Sequence, residues 1–317
     1  MPTFRLATIE HGGREGAALV VGERLYPLAD LAPDRVELHG RVFGILQDWE
    51  RYLPTLRGLA QMVDGRTGGL AADDRSVRIL TPIRYPRAVF CTVFNFYDFA
   101  AEAGVPAPDR SAVRPYVCIK LPHGVIGPND AILLPHITQQ VDWEVELGAV
   151  IGKPCRGVFS RDALDYVAGY TIVNDVSARD IIQRPDWPNF GSDWLMAKNF
   201  DASTPIGPYL LPREFLPDPQ NVALRLTRNG ILQQNGNTSS MIFSVAEQIE
   251  FISSIMTLMP GDVIATGTPA GVGWSRNIWL AAGDELVLEI TEIGTLRNSV
   301  VAPAMLVPPP RQGTAYA

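Results

Sequence analysis

The sequence predicts an α+β protein that is mostly β, with a small N-terminal domain ahead of a larger mixed β domain. From Val77 onward, short runs rich in β-branched and aromatic residues alternate with Gly, Pro, Asn and Asp, which is typical of strands. Only one later segment has a helical pattern with a clear start signal, and a turn-rich segment at 64–75 marks a boundary. So few helices between strands argue against a doubly wound α/β sheet.

Residues 1–75 are predicted to form the small N-terminal domain. FRLATIEH and EGAALVVGERLYPL are predicted as two strands, because glycine turns separate alternating apolar runs. RVFGILQDWERYLPTLRGLAQMV is predicted as a helix, since apolar residues recur at helical spacing from Val42 to Trp49. Pro54 is expected to break or kink this helix.

The larger domain is predicted to span residues 77–303. Its strands are predicted in VRILTPI, AVFCTVF, YVCIKL, AILLP, VDWEVELGAVIG, YTIVND, VALRLTRNG, DVIATG and ELVLEITEIG. SVAEQIEFISSIMTL is predicted as its helix, with Ser244 as N-cap and Glu247 completing a capping box. Residues 304–317 are predicted to be a loose, Pro-rich tail.

Composition and charge exclude several classes of protein. The chain has 317 residues, with 27 Lys+Arg against 34 Asp+Glu and a net charge of −7. A nucleic-acid partner is not expected, because neutralising phosphates requires a basic face. A membrane span is not expected either, because no run of 18 or more apolar residues is present. The N-terminal segment has no apolar core of signal-peptide length, so a cytoplasmic protein is expected.

Cysteine, histidine and lysine are sparse. Three widely spaced cysteines predict buried reduced thiols, and four histidines without zinc-site spacing argue against a zinc centre. Only three of the 27 basic residues are lysines, namely Lys120, Lys153 and Lys198. Lysine is either kept where a compact, rotatable ammonium is needed, or its count reflects base composition alone.

Acidic residues alternate with apolar ones in VDWEVEL, so Asp142, Glu144 and Glu146 would share one face of a strand. Such a row repels itself unless it is solvated or neutralised by a cation, so a solvent-exposed strand face and a metal site are both possible. Asp175 follows the strand YTIV about thirty residues later. Grouped carboxylates suit a hard divalent cation such as Mg²⁺ or Mn²⁺, with Ca²⁺ as an alternative.

Four ordered motifs resemble the fumarylacetoacetate hydrolase family: E-x-E on a strand, then NDVSARD, AKNFD and ATGTPAGVG, across about residues 77–301. The resemblance implies a mixed β-sandwich roll that forms a homodimer. It implies Mg²⁺ or Mn²⁺ bound by Glu144, Glu146 and Asp175, and a small-molecule 2-oxo or 1,3-diketo acid substrate that chelates the metal. Asn95 stands where some members have a fourth acidic ligand, so a three-carboxylate site is expected.

The resemblance also implies roles for residues around the metal. Lys198 matches an active-site lysine, and Lys120 matches a lysine near the substrate. Substrate contacts are further implied for Tyr97, Arg179, Gly267 and Thr268. Two alternatives stay open: Arg179 forms a salt bridge with a neighbouring acid, and the TGTP segment is simply a tight turn.

The chain departs from the family at the catalytic base. Many members carry a lid segment, roughly N-Y-x-x-H-x-x-E, whose His and Glu activate water. Here the segment is NFYDFAAE, with Phe99 in the histidine position and Glu102 in the glutamate position. Glu102 alone could act as the base if lid closure raises its pKa, or His123 could replace the missing histidine, or the reaction needs no activated water. The alternative for His123 is a turn residue that faces solvent.

A second departure concerns substrate polarity. The family's glutamine after SARD is displaced, with Ile182 in its place and Gln183 one residue later. The insertion RPDWPNFGSDW adds aromatic bulk that is expected near the mouth of the site.

The first functional hypothesis is therefore a divalent-metal-dependent hydrolase that cleaves a C–C bond in an acylpyruvate-like or ring-fission 2-oxo acid. The absence of the lid histidine favours an alternative, an isomerase, hydratase or decarboxylase on a related 2-oxo acid. A catalytically silent metal- or ligand-binding relative is the third hypothesis, and the intact set of three carboxylates and two lysines weighs against it.

Overall fold

A computed structural model describes residues 1–66 and 68–302 of the chain. The predicted α+β, mostly β fold class is confirmed, while the predicted tail at 304–317 lies outside the described residues.

The strands, in chain order, are β1 (Phe4–His11), β2 (Arg14–Val21), β3 (Arg24–Pro27), β4 (Leu70–Ala71), β5 (Val77–Leu80), β6 (Val89–Val93), β7 (Tyr116–Lys120), β8 (Val125–Ile126), β9 (Ile132–Leu133), β10 (Val141–Asp142), β11 (Val145–Ile151), β12 (Val167–Asn174), β13 (Ser177–Ala178), β14 (Thr204–Pro212), β15 (Ala223–Arg228), β16 (Ile231–Asn237), β17 (Val263–Ala265), β18 (Glu285–Ile290) and β19 (Gly294–Val301). The helices are α1 (Leu28–Leu31), α2 (Val42–Leu46), α3 (Trp49–Val63), α4 (Tyr97–Glu102), α5 (Ser160–Ala163), α6 (Trp194–Lys198) and α7 (Val245–Ile255). Among the described residues, no helix combines the length and apolar character needed to cross a membrane.

One large mixed sheet organises the molecule. Its strands lie in the order β4-β3-β2-β1-β14-β12-β11-β17-β6-β7, with β5 paired to β1 and β8 paired to β14. A second sheet has the order β16-β15-β18-β19-β9, and β10 pairs with β13. The centre of the large sheet, β12-β11-β17, is buried and positions the site described below.

The large sheet crosses the predicted domain boundary. Strand β1 pairs with β14, where Leu6 lies opposite Leu210, and also with β5, which was predicted to open the larger domain. Buried side chains from both sides of the boundary share one core, in which Val42 belongs to the same cluster as Val263. Independent folding of residues 1–75 therefore stays a prediction that this continuity argues against.

The prediction of one N-terminal helix that Pro54 breaks or kinks is wrong about where the helix is interrupted. The segment divides into α2 and α3 at Gln47–Asp48, and α3 continues through Pro54. Pro54 is the sixth residue of α3, beyond the first N–H groups that have no partner within the helix, so its ring removes one intrahelical hydrogen bond. The buried side chains Tyr52 and Leu56 hold the helix against the sheet on either side of the proline.

Strand β14 was not predicted, because prolines at 205, 208 and 212 argue against a central strand. It lies between β1 and β12 and is fully buried. Pro208 is tolerated because it falls at an irregularity of the ladder with β12, between the pairs of Tyr170 and Ile172. Strands β16 and β19 were also missed. The predicted capping box of α7 is confirmed, since Ser244 and Glu247 each accept a hydrogen bond from the other's backbone N–H.

Candidate active site

Three carboxylates meet where β11 begins and β12 ends. Val145 of β11 lies opposite Asn174 of β12, so Glu144 and Glu146 flank the end of β12 while Asp175 follows it directly. One oxygen from each carboxylate lies within 4.8 Å of the others. All three side chains are buried, which is incompatible with a solvent-exposed strand face.

Asp142 does not join this cluster, although the alternating pattern placed it on the same face. The chain leaves the β conformation at Trp143 and Glu144, between β10 and β11. The Asp142 carboxylate instead accepts hydrogen bonds from Arg179 Nε (2.9 Å) and from the backbone N–H groups of Gly273 (2.6 Å) and Trp274 (3.0 Å). It therefore anchors Arg179 and the 272–274 loop.

Both predicted site lysines reach the carboxylates. Lys198 Nζ, at the end of α6, donates to Glu144 Oε2 (3.0 Å) and Asp175 Oδ2 (2.7 Å). Lys120 Nζ, at the end of β7, donates to Asp175 Oδ1 and to the Val176 carbonyl, both at 2.8 Å. Lys198 and Lys120 are themselves buried.

These contacts set the ionisation of the cluster. Burial by itself raises the pKa of the Asp175 carboxyl, but the two ammonium groups outweigh burial and hold that pKa below its ordinary value. Burial likewise lowers the pKa of Lys198, but Asp175 and Glu144 outweigh it and raise the pKa. The ion pair between Lys198 and Asp175 therefore persists at neutral pH. Arg179 adds a third cation, because its Nη2 donates to Glu144 Oε1.

Glu146 is the carboxylate without a cationic partner among the described residues. Its Oε2 accepts the Gly267 N–H at 2.8 Å. Burial raises the pKa of Glu146 well above its ordinary value, and the neighbouring Asp175 and Glu144 carboxylates raise it further. Around the cluster, four acids (Asp142, Glu144, Glu146 and Asp175) face three cations (Lys120, Arg179 and Lys198), which leaves one negative charge unbalanced. Three buried oxygen donors with surplus negative charge fit a divalent cation such as Mg²⁺ or Mn²⁺.

The TGTP segment follows β17 and closes one side of the site. Gly267 has a φ of +99°, and a Cβ there would lie 2.7 Å from the Asn95 Cβ, so glycine is required for this close approach. Thr268 Oγ1 donates to the Val145 carbonyl at 2.9 Å and accepts from Gln234 Nε2 at 2.8 Å. Asn95 joins two backbone segments through Phe243 and Thr266 rather than extending the acidic cluster.

A cavity of about 260 Å³ opens over the carboxylates. It is slightly smaller than the range of about 300–1,000 Å³ typical of drug-sized ligands, so it suits a small molecule. Its lining comprises Thr92, Val93, Phe94, Phe99, Glu144, Glu146, Asp175, Arg179, Ile182, Gln183, Trp194, Lys198, Thr268 and Trp274. Lys120 and Gly267 lie behind this lining and act on it through Asp175 and Glu146.

The predicted lid residues separate into two groups. Phe99 on α4 is buried and lines the cavity, with its ring centroid 5.0 Å from Phe94 and 6.3 Å from Trp274. Glu102 faces away from the cavity, and its Oε2 accepts the Gly271 N–H at 2.8 Å. Tyr97 is exposed and does not line the cavity.

His123 also lies outside the cavity. It sits in a short 3-10 turn after β7, with a half-exposed side chain whose Nε2 is 3.9 Å from Asp201 Oδ1. This placement matches the solvent-facing alternative rather than a base beside the substrate.

Sequence reasoning missed part of the aromatic wall. Trp274 directly follows Gly273, the last residue of the motif ATGTPAGVG. This position beside a site motif was the signal that could have indicated a residue of the cavity wall. Phe94 lies one residue before the lid motif NFYDFAAE, so the motif did not include it. Ile182 and Gln183 both line the cavity, as does Trp194 from the end of the predicted insertion.

Known proteins are similar to this chain in sequence and in fold. Residues 88–301 match the family described as fumarylacetoacetate (FAA) hydrolase C-terminal. The mitochondrial oxaloacetate tautomerase fahd2 of Xenopus laevis is 40% identical over 228 residues, which cover 71% of this chain and 69% of that protein. The solved maleylpyruvate hydrolase of Sphingobium sp. SYK-6, in complex with manganese(II) ion and pyruvate, is 25% identical with a TM-score of 0.73, covering 95% of this chain and 100% of its own. The solved 2-hydroxyhepta-2,4-diene-1,7-dioate isomerase of Mycobacterium marinum is 32% identical with a TM-score of 0.68, covering 95% and 99%. The chain therefore belongs to the fumarylacetoacetate hydrolase family, as its four motifs predict.

Proposed function

We propose that the protein is a divalent-metal-dependent enzyme that interconverts the keto and enol forms of a small 2-oxo acid. One observation carries this choice among the family's reactions: the lid position that faces the cavity holds Phe99, while Glu102 and His123 lie outside the cavity. Apart from the three carboxylates proposed to hold the metal, the described residues lining the cavity include no histidine, aspartate or glutamate that could activate water for hydrolysis. Moving a proton along the substrate needs no activated water.

Glu144, Glu146 and Asp175 would hold Mg²⁺ or Mn²⁺ in this proposal. The bound cation supplies Lewis acidity to the keto oxygen of the substrate. Manganese and pyruvate in the solved maleylpyruvate hydrolase support this cofactor and substrate class. The substrate is proposed to place its carboxylate and keto oxygens at this end of the cavity.

The side chains around the cluster perform the remaining work. The Lys198 ammonium lies at the cavity surface, where it can donate a hydrogen bond to the enolate oxygen and stabilise its negative charge. The proton lost from the substrate carbon would pass to water, and the proton gained by the oxygen would come from water. Arg179 adds positive charge on the same side, and its position is held by Asp142. Phe99 and Trp274 line the cavity with apolar surface, and lower polarity around the cluster strengthens these electrostatic interactions.

The named relatives support proton transfer as the reaction class. The Xenopus laevis protein is named as an oxaloacetate tautomerase, and the Mycobacterium marinum structure as an isomerase. Both names describe rearrangement of an oxo acid rather than its hydrolysis.

C–C bond hydrolysis is the second candidate, and Glu102 favours it. Glu102 keeps the family's lid position on the short helix α4 and is tied to the Gly271 N–H by one hydrogen bond. A movement of α4 that breaks this bond could turn Glu102 toward the substrate. The maleylpyruvate hydrolase among the solved relatives supports the same reaction.

Mn²⁺-loaded enzyme should therefore be mixed with enol-form oxaloacetate and with a panel of 2,4-dioxo acids. The enol absorbance reports interconversion, and mass spectrometry reports cleavage. We expect accelerated loss of enol without cleavage, and no acceleration in excess chelator. Cleavage that falls by about 10²–10⁴-fold in Glu102→Gln would instead establish hydrolysis.

Two further variants separate the remaining possibilities. Phe99→His restores the family's dyad, so it should introduce cleavage of 2,4-dioxo acids if α4 can close. His123→Ala should leave turnover unchanged, because its side chain lies outside the cavity. Neither interconversion nor cleavage on any acid of the panel would favour a silent metal-binding relative.

A further inference from the structure

The positively charged side chains that line the cavity are already paired with carboxylates of the protein. Among the described residues that line it, the cations are Arg179 and Lys198. Arg179 is bonded to Asp142 and Glu144, and Lys198 is bonded to Glu144 and Asp175. Both cations therefore lie at the acidic end of the cavity, where the proposed metal and the 2-oxo acid group would bind.

Two basic residues close in the chain to the mouth also have protein partners. Arg276 donates to the backbone carbonyls of Gly271 and Val272. Arg184 follows Ile182 and Gln183 in the chain, and it donates to Asp186 through Nε (2.7 Å) and to Asp193 through Nη1 (2.9 Å). Arg184 does not line the cavity over the carboxylates. It has two carboxylate partners that would compete with a substrate carboxylate.

The cavity has a floor formed by the three carboxylates and a mouth open to solvent, and its wall becomes more apolar towards the mouth. The three carboxylates at the floor are at most 5% exposed, whereas Trp274 is 41% exposed and Ile182 is partly exposed. Phe94, Phe99 and Trp194 complete the apolar wall between floor and mouth. Gln183 is the polar exception, and its Nε2 already donates to Ser192 Oγ at 3.1 Å.

From this polarity gradient we infer that, among 2-oxo acids long enough to reach the mouth of the cavity, the enzyme selects those whose distal end is uncharged and apolar. It disfavours those that place a second carboxylate at the mouth, which the four-carbon oxaloacetate is too short to do. The inference rests on the proposed function, because it assumes that the 2-oxo acid group binds at the acidic floor. A distal carboxylate would lose water against Phe99 and Trp274 without gaining a cation.

Ile182 is the specificity-determining position that follows from this wall. It lies at the mouth, is partly exposed and therefore has room for a longer side chain. Arginine at this position would supply the cation that the apolar wall lacks. Methionine would be a neutral control of comparable length.

The test compares two isosteric substrates, 7-methyl-2,4-dioxooctanoate and 2,4-dioxoheptanedioate, in which an isopropyl group replaces the distal carboxylate. With Mn²⁺-loaded enzyme, we expect kcat/KM to favour the isopropyl compound by at least about tenfold, the lower end of what a pocket mismatch produces. Ile182→Arg should shift this ratio toward the diacid by at least about tenfold, while Ile182→Met should leave it unchanged. Trp274→Arg repeats the test at a second mouth position if Ile182→Arg does not fold.

The outcomes separate the inference from the proposed function. Equal or better turnover of the diacid by the natural enzyme overturns the inference, as does an unchanged ratio in both folded arginine variants. If neither compound turns over, turnover of enol-form oxaloacetate decides the proposed function, and calorimetric binding of the two compounds to the Mn²⁺-loaded protein decides the inference. Tighter binding of the isopropyl compound supports it, and equal or tighter binding of the diacid overturns it.

Discussion

Glu146 is the residue whose charge most needs a cation. It is buried, accepts a hydrogen bond from the Gly267 N–H, and lies beside two other carboxylates. Its raised pKa means that the ionised form is unfavourable in the metal-free protein. Replacing Glu146 by a neutral residue should therefore weaken metal binding but stabilise the metal-free protein.

Glu146→Gln tests that relation. The amide oxygen can still accept the Gly267 N–H, but the charge is lost. We expect Mn²⁺ affinity, measured by calorimetry, to fall by more than about tenfold, because even outer contacts of a metal ligand are worth about 10–100-fold. The melting temperature of the metal-free protein should rise, because glutamine needs neither a buried charge nor a bound proton, whereas the natural carboxyl needs one or the other. Unchanged Mn²⁺ affinity, against Glu285→Gln at the surface as control, would contradict the site assignment.

Asp284 shows how a single carboxylate stabilises the second sheet. It is buried and accepts hydrogen bonds from Arg228 Nε and Asn229 Nδ2, both at 2.8 Å, and from the Ala281 N–H at 2.7 Å. Burial alone raises the pKa of Asp284, but these hydrogen bonds and the Arg228 charge outweigh it and lower the pKa below 3.8. Asp284 therefore stabilises the fold above pH 3.8, and this contribution is lost as pH falls through its lowered pKa.

Asp284→Asn should lower the free energy of unfolding at pH 7 by about 1.5–3 kcal/mol, the usual range for a hydrogen bond to a charged group. The difference from the natural protein should shrink as the pH falls below 3.8, because the natural carboxylate then becomes protonated. Urea unfolding at several pH values measures both quantities. A difference that is constant with pH would show that the charge of Asp284 is not what stabilises this region.

At the scale of elements, helix α7 begins at the predicted N-cap, Ser244. Ser244 Oγ accepts the Glu247 N–H at 3.2 Å, and Glu247 Oε2 accepts the Ser244 N–H at 2.7 Å. These two bonds satisfy N–H groups that have no partner within the helix. The capping box could be predicted from sequence because its two residues are only three positions apart in the chain.

Ser244→Ala should lower the free energy of unfolding by about 1 kcal/mol, within the range of about 0.5–2 kcal/mol for a lost N-cap. Ser254→Ala, near the exposed end of the same helix, is the matched control and should change it little. Urea denaturation measures both. An equal effect in the two variants would mean that the cap contributes nothing specific.

At the scale of the whole molecule, the first 75 residues are part of the main sheet. Strand β1 lies between β2 and β14, and the core that contains Leu6 and Val42 also contains Ile206 and Val263. Removing residues 1–75 would expose this core and leave β5 and β14 without β1.

The full chain should therefore unfold in one transition, with tryptophan fluorescence and far-ultraviolet circular dichroism giving the same midpoint in urea. The chain without residues 1–75 should be insoluble or should unfold at lower urea. Two separate transitions, or a stable protein after the deletion, would restore the N-terminal segment as an independent domain. Sedimentation of the same full-length sample tests the homodimer, which stays a prediction and would be contradicted by a stable monomer at micromolar concentration.

Sequence alone determined what depends on neighbours in the chain. Short β-branched runs, the α7 capping box and the alternation around Glu144 and Glu146 are local patterns, and local backbone preferences are enough to express them. The four motifs likewise indicated the family and the three carboxylates of the site.

Tertiary structure alone decided what depends on distant contacts. Strand β14 exists because β1 and β12 cover it, despite its prolines. Asp142 left the acidic row because Arg179 and the 272–274 loop bind it. Glu102 turned from the cavity because its carboxylate meets Gly271, 169 residues away in the chain. Whether a charged side chain becomes ligand, base or anchor depends on what the fold packs against it, and no local pattern carries that information.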